Sequence, residues 1–155
     1  MYAIYDTEIG KLKITYEQGY IIGISKVDKI QSLGIKSKIS EKAYMELKEY
    51  FAGKRKTFDI PIKLIGTEFQ KKVWKELLKI PYGKTVSYKD IAISIDNPKA
   101  CRAIGMANHN NPILIIVPCH RVVNENGNLG GYALGLDIKR KLLEIEKKQL
   151  KLTEM

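Results

Sequence analysis

The stretch SYKDIAISIDNPKACRAIGMAN, residues 87–108, decides how the second half of this chain folds. Ser87 and Asp90 form a capping pair, and Tyr88, Ile91, Ala92 and Ile95 follow on one helical face. Asn97 is then expected to cap a further helix with Pro98 at its first position, running from Lys99 to about Asn108. That helix is rich in small residues (Ala100, Ala103, Gly105, Ala107), which let it approach another surface closely. Two short helices joined by a tight connection, the second carrying Lys99 and Arg102, read as a helix-turn-helix. Three packed core helices would give a similar pattern.

Upstream, Thr67 and Gln70 make another capping box, with Phe69, Val73 and Leu77 on one face and Pro81-Tyr82-Gly83 as the stop. Before that the character differs. Tyr2–Tyr5, Lys11–Tyr16 and Tyr20–Ser25 are β-prone runs separated by Gly10 and Gly19. A helix capped by Ser40 follows, with Ala43, Leu47, Tyr50 and Phe51 inward and Gly53 beyond its end. Lys54–Gly66 reads as a basic stretch, a short strand and a linker. The fold class is therefore α/β. A small N-terminal antiparallel sheet with a helix (residues 1–60) precedes a mostly helical C-terminal domain of winged-helix or helix-turn-helix type (residues 61–155).

Downstream, the apolar run Ile113–Val117 reads as a buried strand leading into Pro118-Cys119-His120-Arg121-Val122. A rigid element ending in a thiol and an imidazole holds a reactive atom still. Neighbours on a strand point to opposite faces, so adjacency alone does not bond Cys119 to His120; a turn at Pro118 or a bridging water is required. A nucleophilic thiol must lose its proton, usually to an imidazole held by a carboxylate. Glu146 is the candidate for that third role. The last helix, from near Asp137, turns Ile138, Leu142, Ile145 and Gln149 inward, and Glu146 borders that stripe. The plainer reading of Glu146 is a surface carboxylate paired with lysine. Cys101, with no neighbouring histidine, reads as structural, and His109 among asparagines as solvated. Asn111 before Pro112 has the common role of bonding the following turn.

Lys and Arg outnumber Asp and Glu by 27 to 17, for a formal net charge of +10. A polyanionic partner, nucleic acid first, and a lysine-rich solvated surface fit that charge equally. No segment reads as membrane-spanning or as a secretory leader. Two cysteines of unlike context suggest a reducing, cytoplasmic compartment rather than a disulfide framework, and no four-ligand Cys/His cluster suggests a metal.

Taken together, these residues resemble the O6-alkylguanine-DNA alkyltransferases over nearly the whole chain. The likeness rests on Pro-Cys-His-Arg-Val at 118–122, on Asn111-Pro112, on Ser87-Tyr88, on Asn97-Pro98-Lys99 with Arg102, on Gly131-Tyr132, and on Leu142-Leu143-Glu144-Ile145-Glu146. It implies a single-use DNA repair protein needing no cofactor or metal. Its partner would be double-stranded DNA containing O6-alkylguanine, with O4-alkylthymine left open as a substrate, and it would act as a monomer.

The resemblance also implies roles. Cys119 would accept the alkyl group, His120 would take its proton through a water, and Glu146 would orient His120. Asn111 would hold the local turn near the thiol. Tyr88 would donate to the guanine ring, and the carbonyls of Cys119 and Val122 would read the exocyclic amine. Tyr132 and Ala133 would line the base site; many members carry Ser where Ala133 stands, so a hydroxyl contact is lost there. Arg102 would fill the gap left by the flipped nucleotide, while Gln70, Lys89, Asn97 and Lys99 would face the DNA backbone. Other readings are a non-catalytic lesion-binding protein of the same family, a helix-turn-helix regulator, and a cysteine hydrolase.

Overall fold

Tyr2–Thr7 (β1), Gly10–Glu17 (β2) and Tyr20–Lys26 (β3) form an antiparallel sheet in that order. In this computed structural model, residues 1–154 are described. The β1–β2 register runs from Tyr2 opposite Thr15 to Thr7 opposite Gly10, and a bulge at Thr15/Tyr16 interrupts the β2–β3 pairing. The turn between β2 and β3 places Gln18 and Gly19 at φ of 49° and 82°, the left-handed pair that matches strand twist in a two-residue hairpin. Leu12, Ile14 and Tyr16 alternate onto the buried face.

Helix α1, Lys38–Phe51, covers that face with Ala43, Leu47, Tyr50 and Phe51. Its cap is Ser37, not Ser40. Ser40 occupies the third helical position and bonds back to the Ser37 amide in a reciprocal capping box. The Ser40 hydroxyl is then left to meet Tyr5 Oη at 2.9 Å. Buried Glu46 accepts from the amides of Asp59 (2.9 Å) and Ile60 (3.3 Å), fixing the segment after the helix. That segment makes no strand: Ile62 forms a single bridge with Ile21.

Residues 1–65 with Pro112–Leu114 form one compact unit, and Gly66–Asn111 with the chain from Ile115 onward form another. The contact boundary thus falls at Ile65, and Pro112–Leu114 joins the first unit through backbone bonds. Ile24 N–H donates to Pro112 O at 2.8 Å and Leu114 N–H to Ile24 O at 3.2 Å.

The second unit begins with α2, Glu68–Leu77, capped reciprocally by Thr67 and Gln70 as its sequence predicts. Buried Trp74 donates Nε1–H to Ala107 O at 2.8 Å. This ties α2 to α4, Cys101–His109. Between them, Val86–Ser87 (β4) leads into α3, Tyr88–Ser94, with the Ser87–Asp90 box in place. Helix α4 starts later than expected. Asn97 to Ala100 is a separate turn, closed by Ala100 N–H to Asn97 O at 3.0 Å, and Asn97 makes no side-chain cap. Ile104, Ala107 and Asn108 form its buried line. Among the described residues no helix is long and apolar enough to cross a membrane.

The apolar run before the cysteine is not a strand. Ile113 makes one bridge to Ile24, and the backbone then turns at Ile115, whose φ is +75°. A β-branched residue in this region is strained by roughly 1–3 kcal/mol, and such strain gathers at functional sites. Cys119–Arg121 form a 3-10 turn, and Val122–Val123 (β5) pair in parallel with β4, Val86 opposite Val122. Helix α5, Leu136–Glu154, closes the unit. Its most buried line is Lys139, Leu142 and Glu146, so two charged residues occupy the stripe assigned by periodicity to Ile138, Ile145 and Gln149.

Candidate active site

Parallel pairing of β4 with β5 brings the start of α3 against the Cys119 segment, which puts Tyr88 near the thiol. The 3-10 turn removes the strand objection, because successive side chains are then about 120° apart instead of opposed. Cys119 and His120 are both buried, at 1% and 0% exposure. Asn111 donates Nδ2–H to Val117 O at 2.7 Å, holding closed the loop that the strained Ile115 opens.

His120 Nε2 and Glu146 Oε2 lie 2.6 Å apart. Glu146 is also gripped by Arg121, through Nε to Oε1 at 2.9 Å and Nη2 to Oε2 at 3.2 Å, and by the Gly83 amide at 2.9 Å. Arg121 spends its third donor on Ile80 O at 2.8 Å. Burial alone would raise the Glu146 carboxyl, but the bonds and charges of His120 and Arg121 hold it at about 2. Glu146 is thus ionised. Burial lowers His120 below its usual range despite its carboxylate partner, so the imidazole rests neutral and ready to accept a proton.

Lys139 is fully buried. Its ammonium donates to the carbonyls of Val122 (2.7 Å) and Gly131 (3.1 Å), and also to that of Leu129. Burial brings it down to about 8, opposed by the nearby Cys119. Desolvation pushes the Cys119 thiol up to about 11, while a hydrogen bond from Asn111 and the Lys139 charge work in the thiolate's favour. Two cations, Arg121 and Lys139, face one carboxylate, Glu146, so the cluster carries positive charge that a thiolate would neutralise.

Above the turn, Tyr88, Asn108, Tyr132 and Ala133 line a recess of about 230 Å³. Asn108 donates Nδ2–H to Cys119 O at 3.3 Å, which links the lining of the recess to the thiol segment. A wider cleft of about 830 Å³ shares Tyr88, Gly105 and Gly131 with the recess and adds Lys89, Cys101 and Arg102.

The fold therefore brings together Cys119, His120, Glu146, Asn111, Tyr88, Val122, Tyr132 and Ala133. Arg102 borders the cleft and is exposed, as are Lys89, Asn97 and Lys99. Lys89 pairs with Glu125 at 3.7 Å, and the Gln70 side chain is engaged in the α2 cap. Cys101 is exposed on the cleft rather than a buried structural thiol. Sequence reasoning missed Arg121, Lys139 and Asn108. For Lys139 a signal existed: it stands three residues before Leu142 and seven before Glu146, on their face of the helix.

A sequence profile described as 6-O-methylguanine DNA methyltransferase, ribonuclease-like domain, matches residues 1–64, and its DNA-binding-domain counterpart matches residues 68–148. The chain belongs to the 6-O-methylguanine DNA methyltransferase family. Among its relatives, the methylated-DNA–protein-cysteine methyltransferase of Methanosarcina acetivorans is 46% identical over 151 residues, covering 94% of this chain and 97% of that one. The crystal structure of Mycobacterium tuberculosis OGT in complex with DNA superposes with a TM-score of 0.86 at 41% identity, over 96% of this methyltransferase-family chain and 93% of that chain. An O6-methylguanine DNA methyltransferase from Methanococcus jannaschii gives 0.69 at 32% identity, over 93% and 92%.

Proposed function

We propose that this protein repairs DNA by moving an alkyl group from O6 of a flipped-out guanine in double-stranded DNA to Sγ of its own Cys119, once per molecule. The observation that carries this reading is the buried Cys119, whose carbonyl is bonded by Asn108 of the recess lining, next to a neutral His120 held by an ionised Glu146. The family membership of the chain supports it.

In the reaction His120 takes the Cys119 proton. Its Nε2 is committed to Glu146, so Nδ1 is the accepting nitrogen, and Glu146 stabilises the imidazolium that forms. The thiolate attacks the alkyl carbon, a C–S bond forms, and the C–O6 bond breaks with its electron pair going to the base. Tyr88 donates a hydrogen bond to the departing ring, which leaves as neutral guanine once protonated. The thioether has no easy route back, so the reaction is stoichiometric.

Exposed Arg102 at the edge of the cleft takes the space vacated by the flipped nucleotide. Lys89, Asn97, Lys99 and the start of α2 at Gln70 meet the backbone phosphates, consistent with the +10 charge. Cys119 stays buried until the base arrives, which protects a thiol that can be used only once.

Intact-protein and peptide mass after incubation with an O6-methylguanine duplex tests the reading. One methyl group per chain, on Cys119, is the expected result. No adduct together with tight binding to the alkylated duplex would replace it with non-catalytic lesion binding.

A further inference from the structure

Asn108 lies on the last turn of α4 and is 4% exposed. Its amide nitrogen donates to Cys119 O at 3.3 Å. A carbonyl can only accept, so the NH₂ must face Cys119, and this fixes the amide orientation. Oδ1 is consequently turned away from that carbonyl. It is buried and has no hydrogen-bond partner among the described residues. Asn108 lines the small recess with Tyr88, Tyr132 and Ala133. An orphaned acceptor of this kind destabilises the empty protein, and native structures retain one chiefly where something else will donate to it.

We propose that Asn108 Oδ1 accepts a hydrogen bond from the exocyclic amine of the target base and so determines base selectivity. The inference rests on the alkyl-transfer reading above. Alkylation at O6 removes the proton from N1 of guanine, which leaves the C2 amine as the only N–H donor on the base. One N–H reaches Asn108 Oδ1, and the other is free for a main-chain carbonyl. The Cys119 carbonyl already accepts from the Val122 amide and from Asn108 Nδ2, whereas the Val122 carbonyl, bonded by Lys139 at 2.7 Å, keeps a second lone pair for that N–H. O6-alkylhypoxanthine lacks the amine, and O4-alkylthymine offers no N–H donor. With either base, Oδ1 stays buried and unpaired in the complex. A site built to bond a substrate N–H discriminates strongly against an analogue that lacks it.

The test is single-turnover methyl transfer from two otherwise identical duplexes, one with O6-methylguanine and one with O6-methylhypoxanthine. Full-length wild type is compared with Asn108→Leu, and with Asn108→Ala should the leucine variant fold poorly. Either substitution removes the donor to Cys119 O for both substrates alike, so the ratio of the two rates isolates the contact to the amine. Wild type is expected to favour the guanine substrate by about 10- to 100-fold, and the variants to bring the ratio within about threefold of unity. Equal slowing on both substrates, with the ratio preserved, would show that Asn108 only props the Cys119 turn and would overturn the proposal. Absence of wild-type preference would also overturn it. No transfer by wild type to either duplex would instead remove the alkyl-transfer reading itself.

Discussion

His120 Nε2 and Glu146 Oε2 stand 2.6 Å apart in a site that solvent does not reach, and the same carboxylate carries the Arg121 guanidinium and the Gly83 amide. One side chain of α5 therefore holds three separate segments: the turn after α2, the 3-10 turn and its own helix. Chemistry and stability converge on that carboxylate.

Replacing Glu146 with Gln removes the counter-charge of a buried guanidinium. The expected loss of stability is about 3 kcal/mol, read from denaturant midpoints. Methyl transfer should slow by ~100-fold because His120 becomes a poorer proton acceptor, and the acid limb of the pH–rate profile, set by protonation of His120, should move to lower pH. An unaltered profile would remove Glu146 from the proton path. The same group sets acid stability. Its folded value of about 2 lies below its ordinary 4.5, so its contribution is complete above about pH 4.5 and disappears as pH falls through about 2. Denaturation midpoints measured from pH 6 down to 2 should decline in wild type and flatten in the Gln variant.

At alkaline pH two buried groups oppose each other. Lys139 is lowered from 10.5 to about 8, so between those values the unfolded chain holds the extra proton and folding gains as pH rises. Cys119 is raised from 9.0 to about 11, so between those values the folded protein holds the extra proton and stability falls with pH. The net gain is confined to roughly pH 8–9, below the onset of the cysteine effect. Lys139→Met should abolish that rise. The same variant unties three carbonyls of the 122–131 segment and removes a cation beside the thiol, so its Cys119 should react more slowly with a small thiol reagent. A Met variant that retains the pH 8–9 rise would assign it elsewhere.

Gly83 has φ of +78°, and a Cβ there would run into the Leu150 side chain. Gly83→Ala should cost about 1–3 kcal/mol through backbone strain and overpacking. Because the Gly83 amide bonds Glu146, transfer should slow along with the loss of stability. Thermal melting and single-turnover rates on one preparation check both effects.

Arg102 is exposed at the edge of the wide cleft. Arg102→Ala should weaken binding to an alkylated duplex while leaving Cys119 reactivity toward free O6-benzylguanine within about twofold, since the side chain is exposed whereas the thiol cluster is buried. A parallel loss in both assays would place Arg102 in the chemical step.

Capping chemistry made the helices readable. Thr67 with Gln70 and Ser87 with Asp90 each bond as their spacing predicts, because a reciprocal cap is a local event within four residues. Asn97 misled, since an asparagine can equally close a turn, and here its carbonyl does so before the helix begins. The run Ile113–Val117 misled for a related reason. Apolar character reports burial, and burial is satisfied as well by a bent segment as by a strand.

By itself the sequence determined the first three strands, the order of the five helices, the hairpin turns, two of the helix caps and the adjacency of a thiol and an imidazole, all set by neighbours within a few residues. The tertiary structure alone decided that Glu146 faces inward, that Arg121 and Lys139 are buried beside the thiol, and that Asn108 leaves an acceptor in the recess. Those placements depend on residues 11 to 63 positions apart in the chain. A charged side chain is kept out of water only where distant segments supply every hydrogen bond it needs, and no local pattern records which segments those will be.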